Sequence, residues 1–287
     1  VTTIAHLTDL HFGSEAPGSV PVLLEELARH RFDLIALSGD LTMAARRHEF
    51  ERARAFLAEL RVPWLAVPGN HDITPYKLWE RFVNPFGRWR SHVSAVLEPR
   101  WRNHRVMVQG INTARSAGLY LDWSRGRFGR GQIRHVKEAV AALNPQETLV
   151  VVAHHPVAFG SDLAQRYHLA ARAEDLLQTI SRGPRSIVLA GHRHAAHVSL
   201  WNARTGERQI AEGAGVGTSD VLLVHAGTAL SQRLRGEGNS YQILTLEEAA
   251  IGVETRLLTA EGWTTSRKLH LHFSPDMAES LARPAAA

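Results

Sequence analysis

Short apolar runs alternate with amphipathic stretches through most of the chain, and that alternation predicts a layered α/β fold. Residues 2–7 predict a strand. Residues 22–30 predict a helix, with Ser19 as its N-cap and Pro21 near the first turn, where a missing N–H is harmless. Residues 33–37 predict the next strand. Over 46–60, Phe50, Ala53, Leu57 and Leu60 recur at helical spacing while Arg47, Glu51, Arg54 and Glu59 face elsewhere, so a helix is expected. A strand returns over 62–67. Residues 106–111 and 148–153 are apolar enough for buried strands, joined by a helix carried by Ile133, Val136, Val140 and Leu143. A helix over 171–180 and a strand over 186–190 follow. Runs at 198–201, 221–225, 241–246, 253–258 and 269–273 make the part beyond about 197 mostly β. Residues 282–287 carry no burial pattern and are expected to fray.

The chain has 287 residues, near the upper limit for one hydrophobic core. No low-complexity linker divides it, so a single domain over 1–281 is expected, carrying an Arg/Trp-rich insert around 76–134. The formal net charge is only +5, but Arg81, Arg88, Arg90, Arg100, Arg102, Arg105, Arg115, Arg125, Arg127, Arg130 and Arg134 crowd into one stretch with few opposing acids. Either this patch attracts an anionic substrate, or it is a solvated surface with snorkelling side chains. Cysteine is absent, which excludes disulfides and thiolate metal sites and leaves His, Asp, Glu and Asn as ligands. That composition agrees with a cytoplasmic location, although a removed signal peptide would leave no trace in a chain that opens on a strand. No run approaches the length of a membrane span.

The chemistry lies at the ends of the predicted strands. The first runs into Asp9-Leu10-His11, the second into Gly39-Asp40, and the third into Gly69-Asn70-His71-Asp72. Two later strands end in His154-His155 and in Gly191-His192-Arg193-His194. Ligands of open α/β sheets bind beyond the carboxyl ends of strands, so these clusters are expected to converge on one crevice, with the glycines as sharp turns that aim the next side chain. Taken singly, each motif is also an ordinary turn, cap or surface pair. Jointly, five such ends in this order are hard to attribute to accident.

The series Asp9-x-His11, Gly39-Asp40, Gly69-Asn70-His71-Asp72, His154 and Gly191-His192-x-His194 resembles the calcineurin-like metallophosphoesterase superfamily. Its pattern is most similar to the bacterial class III cyclic nucleotide phosphodiesterases and glycerophosphodiesterases. The resemblance implies a four-layer αββα sandwich of two mixed β-sheets flanked by helices. It implies two divalent or trivalent ions, with Asp9, His11 and His194 on the first, Asn70, His154 and His192 on the second, and Asp40 bridging both. A carboxylate has two oxygens and spans two ions readily, whereas an imidazole offers one nitrogen to one ion. Ligation by oxygen and nitrogen without sulfur fits manganese, iron or zinc.

The implied reaction is hydrolysis of a phosphodiester of a small substrate, a cyclic nucleotide or similar diester, by a metal-bridging hydroxide. His71, beside a ligand but not itself one, is expected to stabilise charge or protonate the leaving group, with Asp72 orienting its ring. For substrate contacts the expectation falls on Asn70, His155, His197, Asn112 and Arg115. His270 and His272 alternate along a β-like run and read as one sheet face. Residues 226–241 resemble a stretch of bacterial relatives, with no chemical role to assign. Three other functions stay open. A phospholipid or lipid-linked pyrophosphate hydrolase would use Trp79, Trp89, Trp101 and Trp123 for peripheral lipid contact, and a nuclease would use the arginine stretch on nucleic acid. A non-catalytic scaffold would have lost ligands. Oligomeric state is left open, a homodimer being compatible with the sequence.

Overall fold

The computed structural model describes residues 1–117, 122, 124–158, 169–206, 208–210, 215–217, 220–232, 234 and 236–273. Trp123 and the 282–287 tail lie outside the described residues. Two mixed sheets face one another. The first takes β1 (Thr2–Leu7), β2 (Leu34–Leu37), β3 (Trp64–Ala66), β11 (Ser240–Leu246), β12 (Ala250–Thr259) and β13 (Gly262–His272), in the order β13-β12-β11-β1-β2-β3. The second takes β4 (Arg100–Arg102), β5 (Val106–Ile111), β6 (Thr148–Ala153), β7 (Ser186–Ala190), β8 (His197–Asn202), β9 (Arg208–Ile210) and β10 (Asp220–His225), in the order β4-β5-β6-β7-β10-β8-β9. In the first sheet β1, β2 and β3 run parallel while β11, β12 and β13 are antiparallel to their neighbours; in the second β5, β6, β7 and β10 run parallel, with β4 antiparallel at one edge and β8 and β9 antiparallel at the other.

The period of two along each strand divides the apolar side chains between layers. Ile4, Leu34, Ala36, Val150, Val152, Ile187 and Leu189 meet between the sheets. Ala5, Leu7, Ile35 and Leu37 point the other way, into a core with Leu23, Phe50 and Leu57 from α1 (Ser19–Ala28) and α2 (Arg47–Glu59). On the far side, Leu149, Val151 and Val188 pack with Val136, Leu176 and Ile180 from α5 (Arg130–Ala141) and α6 (Ala173–Ile180). Helix, sheet, sheet and helix thus form the expected four layers.

Several local expectations are corrected. Ser19 is not the N-cap of α1; Gly18 holds that place at φ 76, and the Ser19 hydroxyl donates to the Ala16 carbonyl. The start of α2 is held by buried Glu49, whose Oε2 accepts from the backbone N–H groups of Ala44 and Arg46 at 2.8 and 3.0 Å. The stretch 76–134 supplies β4 and β5 as well as two short helices, α3 (Leu78–Val83) and α4 (Gly87–His92), that the periodicity does not announce. The β-rich C-terminal strands divide between both sheets.

The arginine stretch is dispersed by its partners. Arg81 is 2% exposed and gives its guanidinium to the carbonyls of Ile73, Thr74, Arg115 and Ser116. Arg88 pairs with Glu80, Arg102 with Glu147, Arg105 with Glu248, and Arg100 bonds Gln109. These five side chains stitch the architecture together, because a guanidinium presents donors in a fork that matches carbonyls and carboxylates.

Candidate metal centre

The five strand ends meet at one edge of the sandwich, where backbone bonds lock them together. Asp9 N–H donates to the Gly39 carbonyl and His11 N–H to the Asp40 carbonyl, both at 3.0 Å, which joins the turns after β1 and β2. Gly191 N–H donates to the His154 carbonyl at 3.0 Å and joins those after β6 and β7. Among the described residues, seven other than glycine have positive φ, and five of these are Asp9, His11, Asp40, His192 and His194. A left-handed backbone costs such residues about 1–3 kcal/mol each. Strain concentrated on these five follows from turning each side chain sharply off a strand end into a shared space.

The glycines act differently from one another. Gly39 needs its φ of +94. Gly69 has an ordinary φ of −102 and Gly191 no positive one; they are glycine because a Cβ would strike the Asp40 carboxylate in the first case and the Thr8 hydroxyl in the second. Gly191→Ala should therefore push Thr8 and Asp9 apart and weaken metal uptake by about 10- to 100-fold, the usual cost of disturbing an outer-shell partner. Titration calorimetry on the metal-stripped protein, with circular dichroism to show a retained fold, measures this.

Two groups of donors face each other. In the first, His194 Nε2 lies 3.1 Å from Asp9 Oδ1 and 3.1 Å from His11 Nε2, and His11 Nε2 lies 3.5 Å from Asp9 Oδ1. In the second, His154 Nε2 lies 3.2 Å from Asn70 Oδ1 and 3.2 Å from His192 Nδ1. Asp40 Oδ2 stands between them, 3.2 Å from His154 Nε2 and 4.0 Å from His11 Nε2. The rear of each group is fixed. His154 Nδ1 donates to the Ser38 carbonyl, and Asp9 Oδ2 accepts from the Thr8 hydroxyl and from His192 N–H. Asp9 Oδ1 is buried against the His194 and His11 ring nitrogens with no well-aligned hydrogen bond from the described residues, which a carboxylate oxygen tolerates when a cation can be its partner.

The electrostatics call for positive charge. Burial works against ionisation of Asp9, but the His11 and His194 rings outweigh it and hold the carboxyl well below its ordinary range. Burial likewise opposes Asp40, and His154 and His71 outweigh it in the same direction. Burial also disfavours a charged His154, yet Asp40, then Asp9, push its pKa up to about 9. The ligand atoms of Asp9, Asp40 and His154 lie within 4.8 Å of one another. Two carboxylates at that separation repel by at least about 3 kcal/mol at an effective dielectric near 20. Divalent ions among these oxygens and nitrogens would cancel that repulsion, so the donor set fits the metals implied above.

His71 is half-buried, and its ring packs edge-on to His11 with centroids 4.9 Å apart. Its Nδ1 donates to the Met43 carbonyl at 2.6 Å. The expectation that Asp72 orients this ring is thereby corrected. The Asp72 carboxylate turns inward and accepts from the N–H groups of Leu41, Thr42 and Gly69 and from the Thr42 hydroxyl. Burial and the nearby Asp40 raise its pKa to about 6. Its place is to clamp the turn after β2 to the turn after β3, the two loops that carry Asp40 and Asn70.

The expected substrate contacts fare unevenly. Asn70 belongs to the cluster. His155 does not offer itself to a substrate: it is buried, Nδ1 bonds the Thr113 hydroxyl and Nε2 the Ser124 carbonyl, each at 2.8 Å. Although it lies near His154 and His192, a ring satisfied at both nitrogens supports its neighbours rather than ligating. His197 opens β8 opposite His225 and lines a separate groove with Glu237, Ser240 and Arg267. The Asn112 side-chain oxygen accepts from Ala114 N–H, closing a turn. Arg115 offers its carbonyl to Arg81.

Residues missed by sequence reasoning hold the candidate ligands from behind. Thr228 Oγ1 donates to the Asp9 carbonyl at 2.6 Å, which gives the 226–241 stretch a role. His6, buried and neutral with its pKa lowered to about 3 by burial, bonds the Ser38 hydroxyl at 2.8 Å. Thr8 carries a sequence signal, since it directly precedes Asp9, and Thr228 a weaker one, as a member of the 226–241 stretch.

A family model described as calcineurin-like phosphoesterase matches residues 2–196. The chain is 24% identical over 182 residues to a 3',5'-cyclic adenosine monophosphate phosphodiesterase of Escherichia coli, covering 61% of this chain and 59% of that one. It is 22% identical over 171 residues to a probable glycerophosphodiester phosphodiesterase of Arcobacter nitrofigilis, covering 59% of each. The match thus spans about three fifths of these relatives' length. A purple acid phosphatase from yellow lupin superposes with a TM-score of 0.71 at 14% identity, covering 100% of this chain and 57% of that one, a likeness of fold.

Proposed function

The chain belongs to the calcineurin-like phosphoesterase family, and on that premise we propose that it hydrolyses a small phosphodiester, a cyclic nucleotide or similar diester, at a binuclear metal centre. The observation that carries this reading is the position of Asp40, whose Oδ2 reaches toward His154 in one donor group and His11 in the other. Asp9, His11 and His194 would hold one ion, Asn70, His154 and His192 the other, and Asp40 would touch both. Such ions, when bound, activate water and neutralise charge on phosphate.

The remaining chemistry belongs to side chains. With Nδ1–H committed to the Met43 carbonyl, His71 in its imidazolium form presents Nε2–H as the group that hands a proton to the leaving alkoxide and is left as the neutral Nδ1–H ring. Asn70 is a neutral ligand, so the centre keeps positive charge for an anionic substrate. Asp72 keeps His71 and Asp40 in register through its backbone bonds. The cyclic nucleotide and glycerophosphodiester activities named for the relatives support a diester as substrate. A nuclease gains little support, because much of the arginine stretch is spent on internal partners. A scaffold gains none, since the donor set is whole. Metal-reconstituted protein should turn over bis(p-nitrophenyl) phosphate, cyclic nucleotides or glycerophosphodiesters faster than monoesters. A monoesterase preference across that panel would overturn the reading.

A further inference from the structure

Helix α3 has its polarity reversed. Trp79 is 81% exposed, Val83 60%, Phe82 53% and Leu78 52%, and Tyr76 just before them is 69% exposed. Residues 78, 79, 82 and 83 share one face at helical spacing, and that face points to solvent. On the opposite side Arg81 is buried against four backbone carbonyls. A short helix that hides its arginine and displays a tryptophan, a phenylalanine and two aliphatics marks a contact surface. Among the described residues, Trp89 and Trp101 do not join it: Trp89 is fully buried and Trp101 packs against the inter-sheet core.

The patch adjoins the metal centre. The Asn70–Asp72 turn runs into α3 through Ile73 and Thr74, whose carbonyls Arg81 holds. Arg46 lies over the Tyr76 ring at 5.5 Å, three residues from the Met43 carbonyl that anchors His71. Asn70 and His71 are the half-exposed members on this side of the cluster.

Charge selects the occupant. Residues 76–92 hold Lys77, Arg81, Arg88 and Arg90 against Glu80 alone, and Glu80 is paired with Arg88. Lys77, Arg90 and Arg46 are exposed, while Arg47 is paired with Glu51. A second copy meeting this face through a two-fold axis would set like charges together. Exposed aromatics flanked by basic side chains instead fit the interface of an anionic bilayer, where indole and phenyl rings settle at headgroup depth and Lys and Arg meet the lipid phosphates. We infer that α3 docks this protein on an anionic membrane surface, with the open side of the metal centre beside the lipid. This goes beyond the diesterase reading and does not depend on it.

The test uses the metal-loaded full chain and sucrose-filled vesicles, either phosphatidylcholine alone or an equal mixture with phosphatidylglycerol. Wild type should sediment with the mixed vesicles, less with phosphatidylcholine, and less again as salt rises. Trp79→Glu with Phe82→Glu should bind roughly tenfold or more weakly, and Lys77→Glu with Arg90→Glu should lose the preference for the mixed vesicles. Turnover of soluble bis(p-nitrophenyl) phosphate should be unchanged in both double variants, which shows them folded. If that turnover is absent in wild type, the diesterase reading fails while the sedimentation result stands by itself. Wild type left in the supernatant, or the Trp79/Phe82 variant still sedimenting, would overturn the docking. So would concentration-dependent dimerisation by light scattering that the Trp79/Phe82 variant abolishes, since a second copy would then cover the face.

Discussion

Asp40→Ala should lose bound metal and activity together, by more than the roughly 10- to 100-fold that removal of an outer-shell partner costs. Asp40 stands between the two donor groups, and its other oxygen accepts from His71 N–H at 2.8 Å, so in the proposed coordination one truncation would take a ligand from both ions and loosen the turn that carries Asn70. Asp40→Asn keeps that acceptor and the side-chain volume but removes the charge. It should fold as wild type by circular dichroism and still bind metal poorly, because a neutral amide leaves Asp9 as the one carboxylate in the two donor groups described. Elemental analysis with parallel turnover checks both variants. Two ions per chain and wild-type rates in Asp40→Ala would sink the proposed coordination.

In His71→Ala the metals should remain and the rate should fall selectively. The contact that ties residue 71 to the centre is its backbone N–H to Asp40 Oδ1, which alanine keeps, and its ring bonds a carbonyl rather than a ligand. General acid assistance is worth about 10²- to 10⁴-fold. An alkyl diester, whose alkoxide needs a proton, should lose an amount in that range, while a nitrophenyl diester, whose leaving group departs unaided, should lose far less. Equal losses on both substrates with metal content unchanged would assign His71 to charge stabilisation or positioning. Loss of metal would move it into the coordination shell.

The convergence of the candidate site was legible in the sequence because the residues that could hold a metal sit in short local motifs. Asp9-x-His11 and Gly191-His192-x-His194 are read off neighbouring positions, and each follows a strand that its own apolar run announces. The elements were legible for the same reason: periods of 2 and 3.6 are local properties of the chain. The assignment failed where the deciding partner is remote. Asp72 looks like the natural partner of adjacent His71, yet its carboxylate is taken by Thr42, 30 residues away, while His71 finds Met43. Ser19 looks like a cap until Ala16 and Gly18 are placed.

What the sequence determined by itself is therefore the family, the layered α/β plan and the identity of the candidate ligands, all carried by residue type at short spacing. Tertiary structure alone decided how those ligands divide around Asp40, that Thr228 braces Asp9 from 219 positions away, and that Arg81 points in while Trp79 points out. A buried polar group must find a partner or bear the full cost of desolvation, and that partner is chosen by which strand ends the two sheets bring together.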